Sequence, residues 1–131
     1  MMLDSMVRTG DFKGEKHVPV IEAPEAVAKG SPFQVTVSVG KEIPHPNTTE
    51  HFIAWIDLFF KPASGGFPYH VGRFDFRAHG ESVKGPNQGP VHAHPSVTFP
   101  VSLNEPGTLV AVSLCNIHGL WESSREVAVE E

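Results

Sequence analysis

Phe33-Gln34-Val35-Thr36-Val37-Ser38-Val39 decides the fold class. Apolar and polar residues alternate without a break over this stretch. Successive side chains of a strand point to opposite faces, so one face here carries Phe33 and the three valines and the other carries Gln34, Thr36 and Ser38. A helix would scatter the same residues around its circumference. The spacing therefore predicts a half-buried strand, with one side on a core and the other in water.

The same reading extends in both directions. Lys29-Gly30-Ser31-Pro32 and Pro24 mark a connection. Before it, His17 to Ile21 reads as an edge strand, because Pro19 removes a ladder donor. His51 to Phe60 is apolar on both faces, as a central strand is. Tyr69 to Arg77 places Phe74 and Phe76 opposite Arg73, Asp75 and Arg77. Val91 to Leu103 is apolar at nearly every odd position, which predicts a long strand or a strand broken at Pro95. Thr108 to Leu114 and Glu126 to Val129 complete the set. About seven strands between Gly- and Pro-rich turns make an all-β, antiparallel sandwich or barrel. A chain of 131 residues suits one domain. Residues 1–14 are expected to be an N-terminal lead-in and residues 15–131 the folded domain.

The totals exclude several function classes. A net charge of -5 is unsuited to general nucleic-acid binding, which needs a basic face. The single cysteine allows no intrachain disulfide, consistent with a reducing compartment. Met1 to Phe12 contains Asp4, Arg8 and Asp11 and has no apolar signal region. The longest apolar run, Phe52 to Phe60, is too short to span a membrane. A cytoplasmic location and no membrane partner are the expectation.

Strand direction gathers the chemistry. If successive strands alternate in direction, His17, His45, His51, Cys115 and His118 fall at one end of the sandwich. His45 lies between Pro44 and Pro46, which stiffen its loop. Structural zinc prefers a closed four-ligand tetrahedron, often rich in cysteine. Four imidazoles and one thiolate suit a metal of higher coordination number, such as iron, with a sixth position left for a small anion. A thiolate donates electron density to the metal and tunes its redox behaviour. Glu15 is placed to cap the open position, and Lys16 to add positive charge near an incoming anion.

These residues form three motifs: Glu15-Lys16-His17-Val18-Pro19, Pro44-His45-Pro46-Asn47-Thr48-Thr49-Glu50-His51, and Cys115-Asn116-Ile117-His118-Gly119-Leu120-Trp121-Glu122. In this order they resemble the superoxide reductases of the neelaredoxin and desulfoferrodoxin group. Val71-Gly72-Arg73-Phe74 and Ala78-His79-Gly80-Glu81-Ser82 add to the likeness, which runs from about Gly14 onward. The resemblance implies an immunoglobulin-like β-sandwich holding one mononuclear non-haem iron. His17, His45, His51 and His118 would be the equatorial ligands, Cys115 the axial one, and Glu15 the sixth ligand of the oxidised resting state. Lys16 would attract superoxide and help position the water that protonates the peroxide. The implied reaction is one-electron reduction of superoxide to hydrogen peroxide, with a rubredoxin-like donor restoring the electron. The absence of four further cysteines points to the one-iron, neelaredoxin type, and the group is commonly homotetrameric.

Two other readings compete. A cupredoxin-like copper electron carrier also has a Cys-x-x-His near its C-terminus, but it usually needs a later axial methionine. Here all three methionines lie at positions 1, 2 and 6. A non-catalytic immunoglobulin-like binding module would hold no metal. His70, His79, His92 and His94 are not expected to be ligands, although strand direction allows His79, His92 and His94 a supporting role near the same end.

Overall fold

The structure is a computed structural model describing residues 1–131. The alternating stretch forms strand β3 (Phe33–Val39), with Val35, Val37 and Val39 buried. In chain order the others are β1 (Pro19–Glu22), β2 (Ala26–Ala28), β4 (Ile53–Pro62), β5 (Tyr69–Asp75), β6 (Ser96–Val101), β7 (Gly107–Cys115) and β8 (Gly119–Glu130). They form a three-stranded sheet, β1-β3-β6, and a five-stranded sheet, β2-β8-β7-β4-β5. Val35, Val37 and Phe99 from the first sheet meet Ile56, Leu58, Leu109, Ala111 and Val127 from the second in one core. The all-β sandwich expected from the sequence is present. No helix is long and apolar enough to cross a membrane.

The structure has eight strands where about seven were expected. The addition is β2, of which Val27 alone is buried. It is too short to show a period of two, and it pairs in parallel with the end of β8. β8 itself starts at Gly119, well before the expected Glu126. Its first half reads as polar because Trp121 and Val127 are its only buried residues. Pairing with β7 from Gly107↔Val127 to Cys115↔Gly119 makes it a strand, not side-chain burial. The break at Pro95 is real: β6 starts at Ser96, while His92 makes an isolated bridge to His79. The lead-in is tied down at Arg8, whose N–H donates to Leu120 and whose carbonyl accepts from Glu122.

Within β4 the polar Asp57 is buried on the outer face. Its carboxylate accepts two hydrogen bonds from Arg73, each 3.0 Å, and is 2.9 Å from His70 Nε2. The Arg73 guanidinium also lies over Trp55, 4.1 Å from the ring centroid. A buried charge needs such partners. They explain how an aspartate sits inside the longest apolar run.

Candidate metal centre

The strand ladders bring one end of each sheet together. Pro19 pairs with Val39, so His17 before β1 and the loop after β3 share one edge. Ile53 pairs with Cys115, and Cys115 with Gly119, so His51, Cys115 and His118 share the other. The alternation of direction predicted for the main strands therefore holds, and all five donors meet at the same end.

The four imidazoles are arranged as a square. Around its perimeter the ring centroids are separated by 5.0 Å (His17–His45), 4.8 Å (His45–His51), 5.0 Å (His51–His118) and 4.6 Å (His17–His118). His17 and His51 are 6.5 Å apart, as a diagonal exceeds a side. The donor atoms of His17, His45, His51 and Cys115 all lie within 4.8 Å of one another. Two donors on opposite sides of one ion, each at about 2.1–2.3 Å, are separated by about 4.5 Å. His118 is outside that group of four but beside it: its Nδ1 is 3.1 Å from His17 Nε2 and 3.8 Å from Cys115 Sγ.

Local bonds set which nitrogen faces inward. His45 Nδ1–H donates to the Pro46 carbonyl at 2.6 Å. His17 donates to Glu15 Oε1 from its backbone N–H at 3.0 Å and from Nδ1 at 2.6 Å. Such outer bonds fix the tautomer and make the inner nitrogen a better donor. The inner Nε2 atoms of His45 and His51 are buried with no hydrogen-bond partner in the protein. A buried polar atom without a partner is costly. Two of them, converging with a thiol, fit a single transition-metal ion as their partner.

Electrostatics keep the rings ready. Burial pushes His45 down to about 4, helped by the positive neighbourhood of His17, His51 and Lys16. Burial, then His118, His17 and Lys16, lowers His51 as well. A ligating imidazole must be unprotonated, and these shifts favour that form. Hydrogen bonds from His17 hold the Glu15 carboxyl below its usual range. Glu15 thus lies against the outer nitrogen of His17. Lys16 makes none of the chain's ion pairs.

The thiol is supported by its turn. Cys115 is 1% exposed, and its Sγ accepts the His118 N–H at 3.3 Å. Gly119, with φ of 82°, lets the chain reverse into β8. Trp121 is buried, stacks on His17 at 5.0 Å and 16°, and donates from Nε1 to the His118 carbonyl at 3.2 Å. Trp121 thus braces both His17 and His118.

Asn116 has a role that no sequence pattern signals. Its N–H donates to the Phe52 carbonyl at 3.1 Å. Its Oδ1 accepts from Phe52 N–H at 2.8 Å, and its Nδ2 donates to the Glu50 carbonyl at 2.9 Å. It clamps the cysteine turn to the His45–His51 loop. Of the remaining histidines, His70 serves Asp57, while His92 and His94 stay outside the donor cluster.

Comparison with known proteins agrees with this geometry. The desulfoferrodoxin family model matches residues 9–124. The neelaredoxin of Megalodesulfovibrio gigas is 58% identical over 130 residues, covering 99% of this chain and all 100% of that protein. The superoxide reductase of Pyrococcus furiosus is 53% identical over 129 residues, covering 98% and 100%. The solved structure of the superoxide reductase (neelaredoxin) from Archaeoglobus fulgidus, in the reduced form, superposes with a TM-score of 0.88 at 53% identity, covering 94% of this chain and 98% of that one. With four histidines and a cysteine converging at one end of an all-β sandwich and a family match over most of its length, the chain belongs to the desulfoferrodoxin family.

Proposed function

We propose that His17, His45, His51, His118 and Cys115 hold the one iron of this superoxide reductase, which converts superoxide, one electron and two protons into hydrogen peroxide. The observation that carries the ligand set is the pair of orphaned Nε2 atoms of His45 and His51 facing the Cys115 thiol. When bound, the iron supplies the electron and a Lewis-acidic position for a small anion. Four clustered imidazoles favour iron over the cupredoxin-like copper carrier, which uses two.

The protein's own groups do the rest. The Cys115 sulfur accepts the His118 N–H and would bind the iron as an electron-donating thiolate. Lys16 gives an acidic chain of net charge -5 a local positive field, which attracts an anionic substrate. It also helps position the water that protonates the peroxide. Glu15 orients His17 through Nδ1. It would also supply a sixth ligand to the iron. Residues 15–131 act as a single iron-binding domain in the cytoplasm. A rubredoxin-like donor delivers the electron, supported by Ile117, 59% exposed beside Cys115. Exposed Tyr69 and Phe74 on the edge strand β5 support association with further copies, as in a homotetramer.

Metal analysis followed by an anaerobic superoxide pulse onto the reduced protein tests the reading. One iron per chain and stoichiometric peroxide without dioxygen are expected. Folded protein that takes up no iron, or release of dioxygen, overturns it.

A further inference from the structure

His79 stands outside the donor cluster, yet it is 3% exposed. A buried imidazole is costly unless it is hydrogen-bonded, and this one is held from both nitrogens. Nε2 donates to the Phe76 carbonyl at 2.7 Å, and Nδ1 lies against the Asn47 side-chain oxygen at 3.2 Å. The ring face lies flat on Phe52, with centroids 3.8 Å apart and planes at 13°.

Those partners are what give the ring a purpose. Asn47 lies between His45 and His51, and Phe52 directly follows His51. One ring therefore grips the donor loop on both sides of His51. Its other bond reaches Phe76, a member of the core. The far side is fixed too: the His79 N–H donates to Glu81 at 2.7 Å, and Asn47 Nδ2 donates to the Ala93 carbonyl at 3.2 Å. A purely space-filling residue would need none of these bonds. They form a rigid strut from the core to the loop that aims two donors.

We propose that His79 is a positioning residue of the iron centre, holding the His45–His51 loop so that both inner nitrogens converge without itself touching the metal. This rests on the ligand set proposed above. Supporting side chains of this kind typically govern metal affinity by about 10–100-fold.

The test uses the full chain freed of iron and titrated with Co²⁺ against a chelator, with the thiolate-to-cobalt absorption as a geometry reporter. His79→Phe keeps a ring on Phe52 but removes both nitrogens. We expect Co²⁺ affinity to fall by about tenfold and the absorption to shift. His79→Gln, which restores a hydrogen-bonding side chain, should recover part of the affinity. Phe99→Leu is the control: it disturbs the core at β6, away from the site, and should lower thermal stability while leaving affinity and spectrum unchanged. Wild-type affinity and spectrum in His79→Phe overturn the proposal. Equal loss of affinity in Phe99→Leu also overturns it, because the effect is then general destabilisation. If His79→Phe does not fold, Asn47→Ala breaks the same strut from the loop side and is read by the same two outcomes. Failure of the ligand set is separable: the thiolate absorption then survives Cys115→Ser, whatever His79 does.

Discussion

Trp121 carries two loads, and truncating it should expose both. Its ring stacks on His17 at 5.0 Å, and its Nε1–H bonds to the His118 carbonyl at 3.2 Å. Trp121→Phe keeps an aromatic face but loses the N–H and part of the ring. A neutral hydrogen bond contributes about 1 kcal/mol, so with some lost packing this variant should be destabilised by about 1–2 kcal/mol. Trp121→Leu also loses the stack, worth about 0.5–1.5 kcal/mol, and leaves a larger void. Its total should reach about 3 kcal/mol. Urea unfolding of the metal-free protein measures these losses. Metal titration of the same samples measures the second load, since both His17 and His118 lean on this ring. Affinity should fall in both variants and further in Trp121→Leu. If Trp121→Leu binds metal as tightly as the wild type, the ring is core only and the reasoning fails.

Three further outcomes follow from the geometry. Cys115→Ser should keep the fold, because the side chain is nearly isosteric at a 1% exposed position; it should lose the thiolate-to-metal absorption, and an unchanged visible spectrum would rule out the thiolate as a ligand. Gly40→Ala should cost about 2 kcal/mol and weaken metal binding, since Gly40 has φ of 85° and a Cβ there would lie 2.6 Å from the His45 backbone nitrogen; wild-type stability and affinity would contradict this. The metal-free protein should lose stability in acid. His45 is pressed to about 4 in the fold and returns towards 6.5 when unfolded. Between those values the unfolded chain binds the proton and the fold does not, so stability is full above about pH 6.5 and falls as pH drops towards about 4. The loss is at most about 3 kcal/mol. Glu15, whose carboxyl is lowered, acts in the same direction. Urea midpoints that stay constant from neutral pH to about 4.5 would refute the His45 contribution.

Much of this is legible in the residues. The valines of β3 declare a half-buried strand, because a period of two has one structural meaning. The five donors can be picked out because each lies at or beyond a strand end, and antiparallel pairing sends those ends to one side. β2 and the first half of β8 are not legible: their strand character comes from backbone pairing, which leaves little mark on side chains. Asn116 is invisible for a similar reason. Its partners are backbone groups of Glu50 and Phe52, more than sixty residues away. Glu15 shows the limit of motif reading, since its carboxylate could face the open position or His17, and here it takes Nδ1 of His17.

The sequence by itself determined the donor types, their placement at one end and, through alternation, the all-β class. Local chemistry also set part of the ring orientation, as the Pro46 carbonyl does for His45. Only the tertiary structure decided that four imidazoles form a square beside a thiol. That depends on the register of two ladders, Pro19 on Val39 and Ile53 on Cys115. Register is fixed by which faces pack into the shared core, and a slip of one residue would turn every donor-bearing strand end the other way. The braces at Trp121, Asn116 and His79 depend on the same packing, so they emerge only once the two sheets have closed.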